Sequence, residues 1–242
     1  MKLFSTNTYY VPQDLSNITQ AKHEVSAELG GMTEQQVQKI WQSVESLYKS
    51  GNHPLISLCI RRKGQVIINR SIGYQHAVTK KQSADDAVIA NPDTPICLFS
   101  ASKIVNAMLV HLLNQQGKIN LFDPVSHYIP EFAANGKRRA TIFHLLSHRG
   151  GIPNIETEVT PELLFDREQI LKLLYAAKPI SYSGNQLAYH AVTAGYILGE
   201  LVERVTGQDI RQFLHENIEN PMEMDFFNYG LKPEYRDQVA TN

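Results

Sequence analysis

The sequence predicts an α/β chain of the α+β kind, with an antiparallel sheet element beside a mostly helical part. Three observations predict it. Leu55–Arg61 and Val66–Ile72 are rich in β-branched and apolar residues and are joined by Arg62-Lys63-Gly64-Gln65, the pattern of a hairpin. Six or seven further segments carry helical spacing with start and stop residues. The chain has 242 residues, 43% hydrophobic and 19% charged, enough to bury a sizeable core.

Taken in order, residues 1–32 are polar and weakly patterned and read as an arm. Thr33 opens a helix, and Gln36 three residues on completes a capping-box pattern. Val37, Ile40, Trp41, Val44, Leu47 and Tyr48 fall on one face of it, and Ser50-Gly51-Asn52 stops it. The hairpin follows, then a polar, loop-like stretch over 78–94. A two-stranded hairpin is marginal alone in water, so another element must pair with it or cover it.

Ile96-Cys97-Leu98-Phe99 leads into a helix of about Ser102–Gln116, closed by Gly117. That helix is apolar almost all round, which predicts burial. Thr141 caps a short helix to Ser147, and Asp166 caps another through about Tyr175. Ala191–Val205 reads as a long helix stopped by Gly207, and Asp209–Ile218 as the last. The expected division is an arm over 1–32, part of an α/β subdomain over 33–94, a helical subdomain over 95–230 and a tail over 231–242.

Several function classes are excluded. Net charge is −1, and the basic clusters Arg61-Arg62-Lys63 and Lys137-Arg138-Arg139 each sit beside a Gly as in a solvated turn. Nothing points to nucleic acid or an anionic membrane face. The apolar runs over 104–113 and 170–177 are far shorter than the roughly 18 residues of a membrane span. Met1–Asn7 has no apolar signal core, and two cysteines, Cys59 and Cys97, make neither a disulfide framework nor a metal set. The expectation is a cytoplasmic, reduced protein, with Cys97 an inert buried thiol. His144 and His148 are four apart, but no Glu follows His144 and no third ligand is evident. His148 therefore reads as a structural hydrogen-bonding residue. No Walker, dinucleotide or Gly-x-Ser-x-Gly motif occurs, and no cofactor or metal is implied.

Chemistry centres on Ser100-Ala101-Ser102-Lys103. A serine hydroxyl is a poor nucleophile until a neighbour takes its proton, and a desolvated lysine can do so. Three residues apart at a helix start, the two share a face, and the helix N-terminus favours a developing oxyanion. The spacing alone carries little weight: 15 Ser and 13 Lys in 242 residues make about one such pair by chance, and Ser46/Lys49 is a second. Context separates them, since Ser100 opens a helix predicted to be buried. The same residues also fit an N-cap serine with a snorkelling lysine.

Phe99-Ser100-Ala101-Ser102-Lys103 resembles the nucleophile motif of the serine β-lactamase and penicillin-binding-protein superfamily. Further blocks match in order. Leu121-Phe122-Asp123-Pro124-Val125 with Tyr128-Ile129-Pro130-Glu131-Phe132 resembles "LDDPV…YLPEF". The run over 141–152 resembles "TIRHLLSHTSGL", and that over 218–224 resembles "IFDPLGM". Tyr189-His190-Ala191, with Gly195-Tyr196 and Val205-Thr206-Gly207, resembles the second motif and its helix. The resemblance spans about residues 33–240, in the class C β-lactamase and carboxylesterase branch.

It implies a β-lactamase/transpeptidase-like fold with an antiparallel sheet subdomain and a mostly helical one. It implies Ser100 as the acylated nucleophile, Lys103 as its partner and Tyr189 as the second-motif tyrosine, with His190 and Ala191 beside the substrate. Class C lactamases usually have Asn where Ala191 stands, and Ala191 has no amide to hold a substrate carbonyl. The His-Ala form is more similar to the esterase side, the family VIII type. Gly150 stands where Ser is usual and Glu223 where Gly is usual. The family's third motif, Lys/His-Thr/Ser/Gly-Gly, supplies a second oxyanion N–H from a later strand, and residues 225–242 contain none.

The resulting expectation is an acyl-serine hydrolase acting on a small-molecule ester or amide, foremost a carboxylesterase. β-Lactamase or D-Ala-type peptidase activity is the alternative. From another class, the chain reads as a truncated, non-catalytic fragment, or one that self-associates through an unpaired sheet edge.

Overall fold

The computed structural model describes residues 9–79, 83–155, 160–182 and 184–241. Residues 1–8, with the signal-free terminus read from them, lie outside the described residues. Contacts divide the chain into two compact units: Met1–Cys97 with Leu231–Asn242, and Leu98–Gly230.

In the first unit, Thr33 caps helix α1 (Glu34–Lys49) with both halves of the capping box made, Gln36 N to Thr33 Oγ1 and Thr33 N to Gln36 Oε1. Val37, Trp41 and Tyr48 are buried, whereas Leu47 on the same predicted face is half exposed. The helix packs on a three-stranded antiparallel sheet in the order β1 (Thr19–Ala21), β3 (Gln65–Gly73), β2 (Leu55–Arg62). The hairpin turns through Lys63 and Gly64, both with positive φ (50° and 77°), the combination that matches strand twist. Ile67, Ile68 and Ile72 of the central strand are buried.

The required third strand comes from the segment read as an arm. Thr19 pairs with Ile72, and Leu15, Ile18 and Ala27 are buried in the same core. Strand β1 has only three residues, Thr-Gln-Ala, too short and polar to show a period of two. Glu24 anchors this segment by accepting two bonds from Arg70 (2.7 and 2.8 Å), whose guanidinium lies over the Trp41 ring. Residues 231–241 join this unit as well: Ala240 N donates to Pro95 O and Thr241 N to Gln75 O.

The second unit is helical: α2 (Ser102–Gln115), α3 (Val125–Tyr128), α4 (Ile142–Leu146), α5 (Pro161–Phe165), α6 (Arg167–Ala176), α7 (Thr193–Thr206) and α8 (Ile210–Leu214), the last continuing as a π turn over His215–Glu219. Leu109, Leu113, Phe132, Leu145, Leu174, Ile197 and Leu201 form its core. Thr141 and Asp166 cap α4 and α6 through bonds to His144 N and Gln169 N.

Four expectations are corrected here. Helix α2 is not buried all round, since Ile104 and Met108 are 68% and 43% exposed while Asn106 is buried. Helix α7 begins at Thr193 rather than Ala191, because residues 188–190 are bonded to another loop, described below. Cys97 is exposed rather than buried. Lys137 is not in a solvated turn. It is fully buried, and its ammonium donates to the carbonyls of Ala134 (2.8 Å), Tyr175 (3.0 Å) and Ala177. It thereby fastens the end of α6 to the 130–136 segment. Among the described residues, no helix is long and apolar enough to cross a membrane.

Two substitutions test these local arguments. Burial pushes Lys137 down to about 8, so it is still charged at neutral pH. Lys137→Met removes a donor from three carbonyls, of which Ala134 O keeps its bond from the backbone N of residue 137, and is expected to destabilise by about 2–4 kcal/mol in chemical denaturation. Glu223, at the place where the family pattern has glycine, is exposed and held at a φ of 52°. Relief of a left-handed backbone, roughly 1–2 kcal/mol, exceeds the entropy cost of glycine, about 0.5–1 kcal/mol. Glu223→Gly is therefore expected to raise the denaturation midpoint, and Glu223→Ala is not.

Candidate active site

Ser100 lies in a 3-10 turn, Phe99–Ala101, that runs directly into α2. The turn is tight: Phe99 has a φ of 44°, a conformation bulky residues rarely adopt, and Ser102 Oγ donates to its carbonyl at 2.5 Å. The hydroxyl of Ser100 is exposed at the positive end of the 14-residue α2.

Two groups converge on Ser100 Oγ. Lys103 Nζ donates to it at 3.1 Å, and the Tyr189 hydroxyl, from 89 residues away, donates at 2.9 Å. Lys103 also stands 5.0 Å from the centroid of the Tyr189 ring. The Lys103 ammonium, then the Ser100 hydroxyl, hold the Tyr189 phenol below its ordinary value of 10.0, because both stabilise the phenolate. The other Ser-x-x-Lys pair makes no such group, since Ser46 Oγ donates back to Gln42 O within α1.

The structure thus brings Ser100, Lys103 and Tyr189 together. It does not place His190 against a substrate. His190 is fully buried, its Nε2 accepts Ile152 N (3.1 Å), and its Nδ1 donates to Ala188 O (2.7 Å). Both ring nitrogens are spent inside the protein, with the proton on Nδ1. Ala191 is exposed and lines a cleft of about 340 Å3 between α2, α7 and α8, shared with Lys103, Asn106, Gly195 and Tyr229.

Asn106 was legible only as a polar break in an apolar helix. Its Oδ1 is buried without a hydrogen-bond partner among the described residues. His144 and His148 are each engaged in hydrogen bonds. His144 Nδ1 accepts Thr141 N in the capping box, and His148 Nδ1 accepts His190 N, both at 3.2 Å. Among the described residues, no group of three or more His, Cys, Asp or Glu side chains is placed to hold a metal ion.

The beta-lactamase family profile matches residues 34–242, and the chain belongs to that family, serine hydrolases that include carboxylesterases and β-lactamases. Its fold is the β-lactamase/transpeptidase-like one. The esterase/beta-lactamase LipL of Mycobacterium tuberculosis is 33% identical over 141 residues, covering 58% of this chain and 32% of LipL. A penicillin-binding-protein homologue from Caulobacter crescentus superposes with a TM-score of 0.75 at 29% identity, over 84% of this chain and 53% of that one. A family VIII carboxylesterase superposes at 0.74 and 28% identity, over 84% and 54%. The chain spans about a third of the curated relative's length and about half that of these solved structures.

The Lys103–Tyr189 contact is directly measurable. An ultraviolet difference titration of wild type against Tyr189→Phe is expected to isolate one phenol ionising below 10. In Lys103→Met that phenol moves back up, because the stabilising cation is gone. Tyr48, Tyr175 and Tyr229, pushed up to about 12 by burial, do not interfere.

Proposed function

We propose that the chain is an acyl-serine hydrolase of the carboxylesterase type, acting on small esters. The observation that carries this reading is the convergence of Lys103 Nζ and Tyr189 Oη on Ser100 Oγ at 3.1 and 2.9 Å. Once the Lys103–Tyr189 pair has lost one proton to solvent, Ser100 Oγ attacks the ester carbonyl carbon and its proton passes to that pair. The C–O bond to the alcohol breaks, and that proton leaves with the alcohol. Water then attacks the acyl-serine, releasing the acid and restoring the hydroxyl. The N-terminal end of α2 favours the oxyanion that forms at each addition.

Ala191 supports ester over lactam chemistry. The methyl side chain exposed at the cleft beside Lys103 offers no donor to an amide-bearing substrate. One of the similar structures is a family VIII carboxylesterase, while LipL is named for both esterase and beta-lactamase.

The test is turnover of a short-chain aryl ester and of a chromogenic cephalosporin, with Ser100→Ala as control. Ester turnover, lost by at least about 10³-fold in Ser100→Ala, is the expected result. Preferential cephalosporin turnover transfers the assignment to a β-lactamase. Absence of ester turnover together with absence of labelling at Ser100 by a serine-reactive phosphonate overturns the proposal.

A further inference from the structure

His148 makes more contacts around Tyr189 than a structural loop residue needs. Its carbonyl accepts Ala188 N at 2.9 Å, and its ring Nδ1 accepts His190 N at 3.2 Å. The residues immediately before and after Tyr189 are therefore both bonded to this one residue. The His148 ring also meets the Tyr189 ring edge-on, with centroids 4.9 Å apart. His148 itself is half-buried and holds a φ of 58° at the end of α4. An extended backbone there carries carbonyl and ring along different lines, so the left-handed turn is what lets one residue grip both sides of Tyr189.

We propose that His148 is a positioning residue for Tyr189. Its neutral Nε2–H tautomer clamps the Ala188–His190 segment so that the phenol reaches Ser100, and protonation of the ring releases the clamp. This rests on the reading of Ser100, Lys103 and Tyr189 as the catalytic group. The tautomer follows from geometry: an Nδ1 that accepts a backbone N–H carries no proton of its own. A proton added to Nδ1 points at the N–H of His190 and cancels that bond. The groups facing the ring resist that proton. The one that does so by charge is Lys103 from α2, while the His190 ring from the 188–192 segment stacks on the His148 ring and the Tyr189 phenol lies alongside. On its own segment, Arg149 follows and His144 lies one turn back. Burial, then the Lys103 charge, lowers His148 below 6.5, so the clamp is closed at neutral pH and opens in acid.

Three variants separate positioning from bulk structure. Asn tolerates the left-handed backbone and offers Oδ1 as an acceptor in place of Nδ1, without a proton to gain. Leu keeps the volume and loses the acceptor. Tyr189→Phe reports the phenol itself. Each is measured for thermal midpoint, for the rate of labelling at Ser100 by the serine-reactive phosphonate, and for kcat and KM on the aryl ester against pH.

His148→Leu is expected to slow labelling and kcat by about 10–100-fold with little change in KM. His148→Asn is expected to restore both to within a few-fold. Wild type is expected to lose kcat in acid, and His148→Asn to lose that acid limb. A readout without turnover is the Tyr189 ring resonance in tyrosine-labelled protein, assigned by its absence in Tyr189→Phe. It is expected to follow a step below pH 6.5 in wild type and none in His148→Asn.

The inference is overturned if His148→Leu labels and turns over like wild type, if Asn is as impaired as Leu at an equal thermal midpoint, or if the acid step persists in His148→Asn. Failure of the underlying reading looks different, because Ser100→Ala then matches wild type whatever His148 does.

Discussion

Everything at the site depends on lacing two loops together. Tyr189 sits 89 residues from the serine it touches, on an irregular segment just before α7. Four bonds hold that segment against residues 148–152: Ala188 N to His148 O, His190 N to His148 Nδ1, Ile152 N to His190 Nε2, and Thr193 Oγ1 to Ile152 O. Two of the four are made by imidazole nitrogens acting as acceptors. A buried imidazole that accepts from a backbone amide at one nitrogen and donates at the other satisfies two backbone groups at once. His190 does this fully, which is why it is buried beside a residue that must stay exposed.

The close packing at this seam gives meaning to a departure from the family pattern. Gly150 stands where serine is usual. A Cβ added there meets Leu145 Cδ2 at 2.6 Å and the His190 ring at 3.3 Å. The glycine lets the 148–152 backbone lie against the ring of His190, so the two positions are coupled through shape. Glu223 is a departure of another kind. It accepts a left-handed backbone that glycine adopts freely, in a turn closed by Met224 N donating to Glu219 O, at a place where its side chain is exposed.

Much of this was legible in the sequence, and unevenly so. Helices α1, α4 and α6 announced themselves through caps, because Thr33, Thr141 and Asp166 are local signals that need no tertiary partner. The hairpin was equally local. Strand β1 was invisible, since Thr19–Ala21 is a strand only by virtue of its pairing with Ile72, Ser71 and Arg70. Lys137 looked like a surface charge because no sequence pattern shows three carbonyls converging on it. At the site, Ser100, Lys103 and Tyr189 were found by motif order, whereas the grouping itself is a long-range fact. His190 was assigned to the substrate because it is adjacent to Tyr189. Yet neighbours in an irregular segment often point oppositely, and this one points into the core. His148 read as structural, which its bonds bear out, but only the fold shows whose backbone it holds.

The exposure of the proposed catalytic group sets the remaining requirement. Ser100 is exposed and Tyr189 is 54% exposed. In that setting the Lys103 charge acts through a medium close to water, where a pair at about 4 Å is worth only about 1 kcal/mol. Lowering a phenol by hydrogen bonds from Lys103 and Ser100 is possible under those conditions, but stabilising a full oxyanion is far more demanding. The same charges gain several-fold in effect once water is displaced. On the proposed reading, the acyl part of the substrate supplies that displacement by settling over the cleft beside Lys103 and Ala191. Binding then strengthens the base at the moment the serine needs it, and an apolar acyl chain does so better than a polar one. Chain-length dependence in kcat rather than in KM is the kinetic form that argument takes.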